Sequence, residues 1–229
     1  MGTKKEKTGS EIVSRFMLGF KKLLCDYSFK SSNVINDDVS SLTLVDMVHI
    51  KQNLSGINGI VTMLTEVAFV DMLKQKEIID ETKRGRMIQC FRETSPYANG
   101  YDIRCDDARI VAEVKCNCPV NGKKFGAKQR ELLIKDIMGL HDHSLKTKER
   151  ESRTDYTDYL KFMVLLDEGK DGGGSDNFSA AVDGLINHIQ RQHQNIQLKR
   201  FEEESKSWDN NTVYIVTVPL SNLELSILK

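Results

Sequence analysis

Residues 101–117 read YDIRCDDARIVAEVKCN, and this stretch decides the fold. Two runs of strand-forming residues, YDIRC and ARIVAEVKCN, flank Asp106-Asp107, and such a pairing around a turn signal predicts a β-hairpin. Successive side chains of a strand point to opposite faces, so Glu113 and Lys115 share one face. A turn of two or four residues centred on Asp107-Ala108 sets Asp102 directly opposite Glu113, with Cβ atoms about 5 Å apart. Ile110, Val111, Ala112 and Val114 make the second strand largely buried, where an unpaired charge is costly. Two carboxylates this close repel unless one takes up a proton or a cation lies between them. A hard divalent ion, above all Mg²⁺, fits two carboxylates and water. Lys115 beside it can orient or deprotonate a water and stabilise charge on a phosphate. The plainer alternative is a solvent-facing ladder with an ordinary ion pair.

Outward from the hairpin, helical and strand patterns alternate. Upstream, GIVTMLTEVAFVDMLKQK (59–76) is apolar on more than one face and predicts a helix packed broadly against the core. Between it and the hairpin, RMIQCFRET (86–94), introduced by Gly85, reads as a strand. Downstream, AKQRELLIKDIMGL (127–140) predicts an amphipathic helix. YLKFMVLLDE (159–168) predicts a buried strand, Phe178 to Gln192 a helix, and TVYIVTVPL (212–220) a strand ended by Pro219. Strands interleaved with helices point to an α/β fold, a mixed, roughly five-stranded sheet covered on both faces. Before it, Ile12, Phe16, Phe20, Leu23 and Leu24 fall at helical spacing, residues 27–39 look like a loop, and residues 42–50 allow a short helix. The expected organisation is an N-terminal helical extension over 1–54 and a core over 55–229.

Composition bounds the rest. The chain carries 33 basic and 33 acidic residues, so charge alone announces no nucleic-acid partner, although a local basic surface is enough for one. No apolar run reaches the roughly 18 residues of a membrane span, and the basic start lacks the apolar stretch of a secretory signal. A cytosolic protein is expected. Five cysteines, an odd number, read as free thiols rather than a disulfide framework. Cys116 and Cys118 form a C-x-C without a partner pair downstream, which is thin support for zinc.

With GYD at 100–102, EVK at 113–115 and a helix beginning at Ala127, the sequence resembles the PD-(D/E)XK nuclease superfamily, and within it the type II restriction endonucleases. The likeness covers roughly residues 55–220 by element order. It implies a restriction-endonuclease-like core with Asp102 and Glu113 as ligands of Mg²⁺ and Lys115 as the catalytic lysine. An additional acid on the preceding helix corresponds to Glu66, and a polar residue near the scissile phosphate to Gln129. Tyr101 stands where the family name has proline. The resemblance further implies double-stranded DNA as substrate, a homodimer matched to a palindromic site, and a partner methyltransferase. Lys123, Lys124, Lys128 and Arg130 form a basic group at the mouth of this site, suited to phosphate contacts that position DNA without reading it.

Three rivals stand beside a restriction-type endonuclease. A repair or junction-resolving nuclease of the same superfamily would share the site. A non-catalytic DNA-binding module would keep the fold, although all three expected residue types are retained. A zinc-stabilised regulatory domain would use Cys116 and Cys118.

Overall fold

The computed structural model describes residues 44–93, 101–116, 119, 124–142, 156–167, 169, 177–202 and 208–223. The expected helix over 11–25 and loop over 27–39 lie outside these residues. The chain divides into two compact units, Met1–Ser55 and Gly56–Lys229. Of the first, the described part is the start of helix α1, Leu44–Gln75, which covers residues 44–50 of the short helix read at 42–50 and residues 59–75 of the longer one read at 59–76, while residues 42 and 43 lie outside the described residues.

The second unit follows with α2 (Glu81–Glu93), β1 (Ile103–Cys105), β2 (Ile110–Lys115), α3 (Ala127–His141), β3 (Leu160–Asp167), α4 (Phe178–Gln192), β4 (Gln197–Arg200) and β5 (Thr212–Pro219). The strands form one five-stranded sheet in the order β1-β2-β3-β5-β4. β1 runs antiparallel to β2, and every other neighbouring pair is parallel. A mixed sheet of this size agrees with the sequence.

One of the five expected strands is wrong. Residues 86–93 of RMIQCFRET form the second half of α2, a helix, and Thr94 lies outside the described residues. The deciding signal lies upstream: the Asp80 carboxylate accepts the Lys83 N–H at 2.8 Å, capping the first turn, and Glu81 suits the positive end of the helix. Gly85 sits exposed within this helix, with nothing within 4 Å of where a Cβ would be, so it marks no turn. The missing strand is β4. Of its four residues Gln-Leu-Lys-Arg only Leu198 is buried, which leaves almost no alternation to detect.

The sheet is covered on both faces, and parity along its strands tells the faces apart. Val111, Met163, Leu165, Val213 and Ile215 pack with Leu133, Ile137 and Leu140 of α3 and with Val182, Leu185 and Ile189 of α4. Ala112, Val114, Phe162, Val164, Tyr214 and Val216 pack with Ala68, Phe69 and Leu73 of α1 and with Met87 of α2. Each of these large aliphatic side chains contributes on the order of 1.5–3 kcal/mol by leaving water. Glu113 and Lys115 have the parity of Val111, so the fold turns them toward α3.

Candidate functional site

The hairpin has the expected geometry. Ile103 pairs with Ala112 and Cys105 with Ile110, leaving residues 106–109 as a four-residue turn closed by the Arg109 N–H on the Asp106 carbonyl at 3.2 Å. Arg109 takes a left-handed φ of 51°. Asp106 anchors the turn: Arg104 donates to its two carboxylate oxygens at 2.7 Å each, and Tyr159 donates to it at 3.1 Å. The Arg104 hydrogen bonds, helped by Tyr159, hold the Asp106 carboxyl below its usual range against the effect of burial. Extended by one pair, the register sets Asp102 opposite Glu113, as the sequence predicts.

Asp102 stands just before β1 begins. Its Oδ2 accepts the Val114 N–H at 2.8 Å and so continues the hairpin's bonding with a side chain where the strand backbone has not yet entered. Glu113 lies within β2, a strand buried except at its last residue, with its side chain only 3% exposed. The Lys115 ammonium joins them, 3.0 Å from Glu113 Oε2 and 3.4 Å from Asp102 Oδ2. The three residues singled out by the hairpin pattern do meet.

A fourth residue was not legible as part of the site. Asp136 of α3 places Oδ2 3.4 Å from Lys115 Nζ, with its side chain 9% exposed. The available signal was a carboxylate on a buried stripe, since Asp136 shares the inward face with Leu133, Ile137 and Leu140. Burial alone would lower the Lys115 pKa. The charges of Asp102, Glu113 and Asp136, with the hydrogen bond to Glu113, outweigh burial and push it well above the ordinary lysine range. In this state Lys115 is a firm cation. As a cation it can orient a water or stabilise a phosphate anion.

Glu66, half-buried on α1, is electrostatically linked to the site. Burial, reinforced by the negative charge of Asp102, pushes its carboxyl up to about 7. Next to it in the chain, the Thr65 hydroxyl lies 3.6 Å from the Cys116 thiol, so this turn of α1 lies against the end of β2. Tyr101 donates to the Gly139 carbonyl at 3.2 Å and meets Tyr156 edge-on at 5.4 Å. Burial, with the charges of Tyr156 and Glu113, raises its phenol to about 12. Tyr101 therefore ties the segment leading into β1, which carries Asp102, to the helix carrying Asp136.

The remaining expected residues lie along the start of α3. Gln129 turns its amide oxygen back to the Gly126 N–H at 3.0 Å, closing the first turn of that helix. Lys128 is exposed and pairs with Glu131 at 3.2 Å, Lys124 is exposed, and Arg130 is half-buried. Lys123 lies outside the described residues. Lys128 and Asp136 are eight positions apart, about 12 Å along the helix axis. Cys116 is a free thiol, and Cys118 lies outside the described residues.

Among the described residues no three His, Cys, Asp or Glu side chains are gathered tightly enough to hold a metal ion as they stand. The carboxylates converge on an ammonium instead of on one another. As donors, Asp102, Glu113 and Asp136 are hard oxygen ligands carrying three negative charges against one positive charge, a set whose chemistry suits a divalent cation. No described helix is long and apolar enough to cross a membrane. Comparison with family models, with curated proteins and with solved structures returns no match.

Proposed function

We propose that the chain is a Mg²⁺-dependent endonuclease that hydrolyses phosphodiester bonds of double-stranded DNA, of the type II restriction kind. The observation that carries this reading is the meeting of Asp102, Glu113 and Lys115 at one point, from a hairpin register that the sequence anticipates. On this reading the mixed sheet is a restriction-endonuclease-like core. Asp102 and Glu113 would hold the ion, which would lower the pKa of a bound water and neutralise charge developing on the phosphate. Lys115, held as a cation, stabilises the phosphate anion and orients the attacking water through its N–H donors. Glu66, whose carboxyl is raised by burial and by the charge of Asp102, would serve as a proton acceptor beside the site. Gln129 sits at the start of α3 with Lys124, Lys128 and Arg130, which would meet the DNA backbone. A homodimer acting on a palindromic site in the cytoplasm, with a methyltransferase protecting that site, completes the proposal by resemblance.

A second reading rests on the ammonium-centred arrangement itself. A lysine held by three carboxylates is also what a purely structural ion network looks like, and it favours a DNA-binding module of this fold that does no chemistry.

Incubation of a long unmethylated DNA with the protein and Mg²⁺, beside Lys115→Ala and EDTA controls, separates these. Discrete fragments lost in both controls support the restriction-type enzyme. Random degradation lost in both points to a repair or structure-selective nuclease. Intact DNA across several sequences and metals favours the binding module.

A further inference from the structure

Asp136 is a charged residue in an apolar place. It shares the buried stripe of α3 with Leu133, Ile137 and Leu140, each fully buried, and is itself 7% exposed. A carboxylate there is strongly disfavoured unless a charge or hydrogen bonds compensate it. The Lys115 ammonium lies 3.4 Å away and reaches the same point from β2. Asp136 comes from a different element than Asp102 and Glu113, which both belong to the hairpin.

The division between hairpin and helix assigns different tasks to the three carboxylates. A divalent cation shared by Asp102 and Glu113 would engage two of the partners that now hold the ammonium, and it would also repel that ammonium. Asp136 is the carboxylate left facing it from the opposite wall. We propose that Asp136 is a positioning residue of this site, anchoring the Lys115 ammonium from α3 so that it stays directed at the substrate when a cation occupies Asp102 and Glu113. The proposal rests on the nuclease reading given above. An Asp136 that merely filled the core would have no bearing on where the ammonium stands.

The test uses the full chain and reads Lys115 directly. An amine-acylating reagent labels accessible lysines, and mass spectrometry gives the rate at Lys115 relative to Lys128, whose side chain is 76% exposed. Binding of Mg²⁺ is followed separately by calorimetry. In the wild type with bound Mg²⁺, Lys115 is expected to label at least tenfold more slowly than Lys128. Equal rates would mean that nothing holds the ammonium once the ion is in place, and would overturn the proposal without any variant. Asp136→Asn is expected to raise Lys115 labelling at least fivefold in Mg²⁺ and leave Mg²⁺ affinity within about threefold. On a cleaved DNA it should lower kcat at least tenfold with KM nearly unchanged, and Asp136→Glu should restore part of both effects. Unchanged labelling in Asp136→Asn, or a Mg²⁺ affinity lowered more than tenfold because Asp136 is itself a ligand, overturns it. Absence of Mg²⁺ binding overturns both readings. Binding without cleavage by the wild type overturns the nuclease reading alone, and the labelling ratios then decide Asp136.

Discussion

The Asp102 carboxylate accepts the Val114 N–H at 2.8 Å, so this residue helps to hold together the hairpin on which it is displayed. Stability and chemistry can therefore be separated by choice of substitution. Asp102→Asn keeps an oxygen for the amide, whereas Asp102→Ala leaves the N–H without its acceptor at a cost of about 1–3 kcal/mol. Urea unfolding should place Asp102→Asn near the wild type and Asp102→Ala clearly below it. On the proposed nuclease reading both should lose DNA cleavage by a hundredfold or more, because neither retains the negative charge. Equal unfolding midpoints for the two variants would mean that the bond to Val114 contributes nothing.

Lys115 balances three carboxylates, two of them nearly inaccessible to water. Lys115→Met keeps the length of the arm and removes the charge. Leaving buried carboxylates without their cation is expected to cost about 3–5 kcal/mol. The loss should be smaller at pH 5 than at pH 8, because protonation of an uncompensated carboxylate relieves it. It should also shrink in millimolar Mg²⁺ if the carboxylates take up the ion in place of the ammonium. Thermal melts at the two pH values with and without Mg²⁺ check this, and a variant as stable as the wild type under all four conditions would refute it.

How much of this site the sequence disclosed follows from where each residue lies in the chain. Asp102, Glu113 and Lys115 were legible because a hairpin is a local structure: alternation and turn length fix which side chains face each other. Asp136 was not, since its meeting with Lys115 depends on how α3 packs across the sheet, and only its intrusion into an apolar stripe hinted at a partner. The same contrast runs through the fold. β3 and β5, with their long buried runs, were read from their apolar residues, whereas β4 buries one side chain and is a strand because β5 pairs with it. The segment 86–94 misled because Met87, Ile88, Cys90 and Phe91 are as compatible with a strand as with a helix when read without the capped turn before them. Tertiary context decides such segments.

Glu66 makes a prediction about pH. Its carboxyl is raised from 4.5 to about 7 in the folded chain, by burial first and then by Asp102. The folded state therefore holds this proton more tightly than the unfolded chain does. The associated stability is fully present below about pH 4.5 and is lost as pH rises toward and through 7. The whole effect amounts to at most about 3 kcal/mol, and less where water reaches the carboxyl. In metal-free protein, Glu66→Gln should remove this slope, gaining on the wild type between pH 5 and pH 8 while matching it near pH 4. Denaturant midpoints across that range supply the measurement, and parallel curves for the two proteins would show that Glu66 titrates normally.

Helix α2 offers a test of the segment whose sequence was most ambiguous. Gly85 is exposed inside this helix, has no left-handed φ, and leaves open space where a Cβ would go. Alanine there costs nothing sterically and restricts the unfolded chain, so Gly85→Ala should raise stability by about 0.5–1 kcal/mol. Asp80→Ala should act oppositely, by about 1 kcal/mol, because it removes the cap on the Lys83 N–H. Were residues 86–94 a strand entered through a turn at Gly85, alanine at that turn would bring no such gain, and Asp80 would cap nothing. Both variants lie away from the carboxylates around Lys115, so on the proposed nuclease reading DNA cleavage should stay within about twofold of the wild type. A destabilising Gly85→Ala would restore the strand assignment and remove α2 from the layer that covers this face of the sheet.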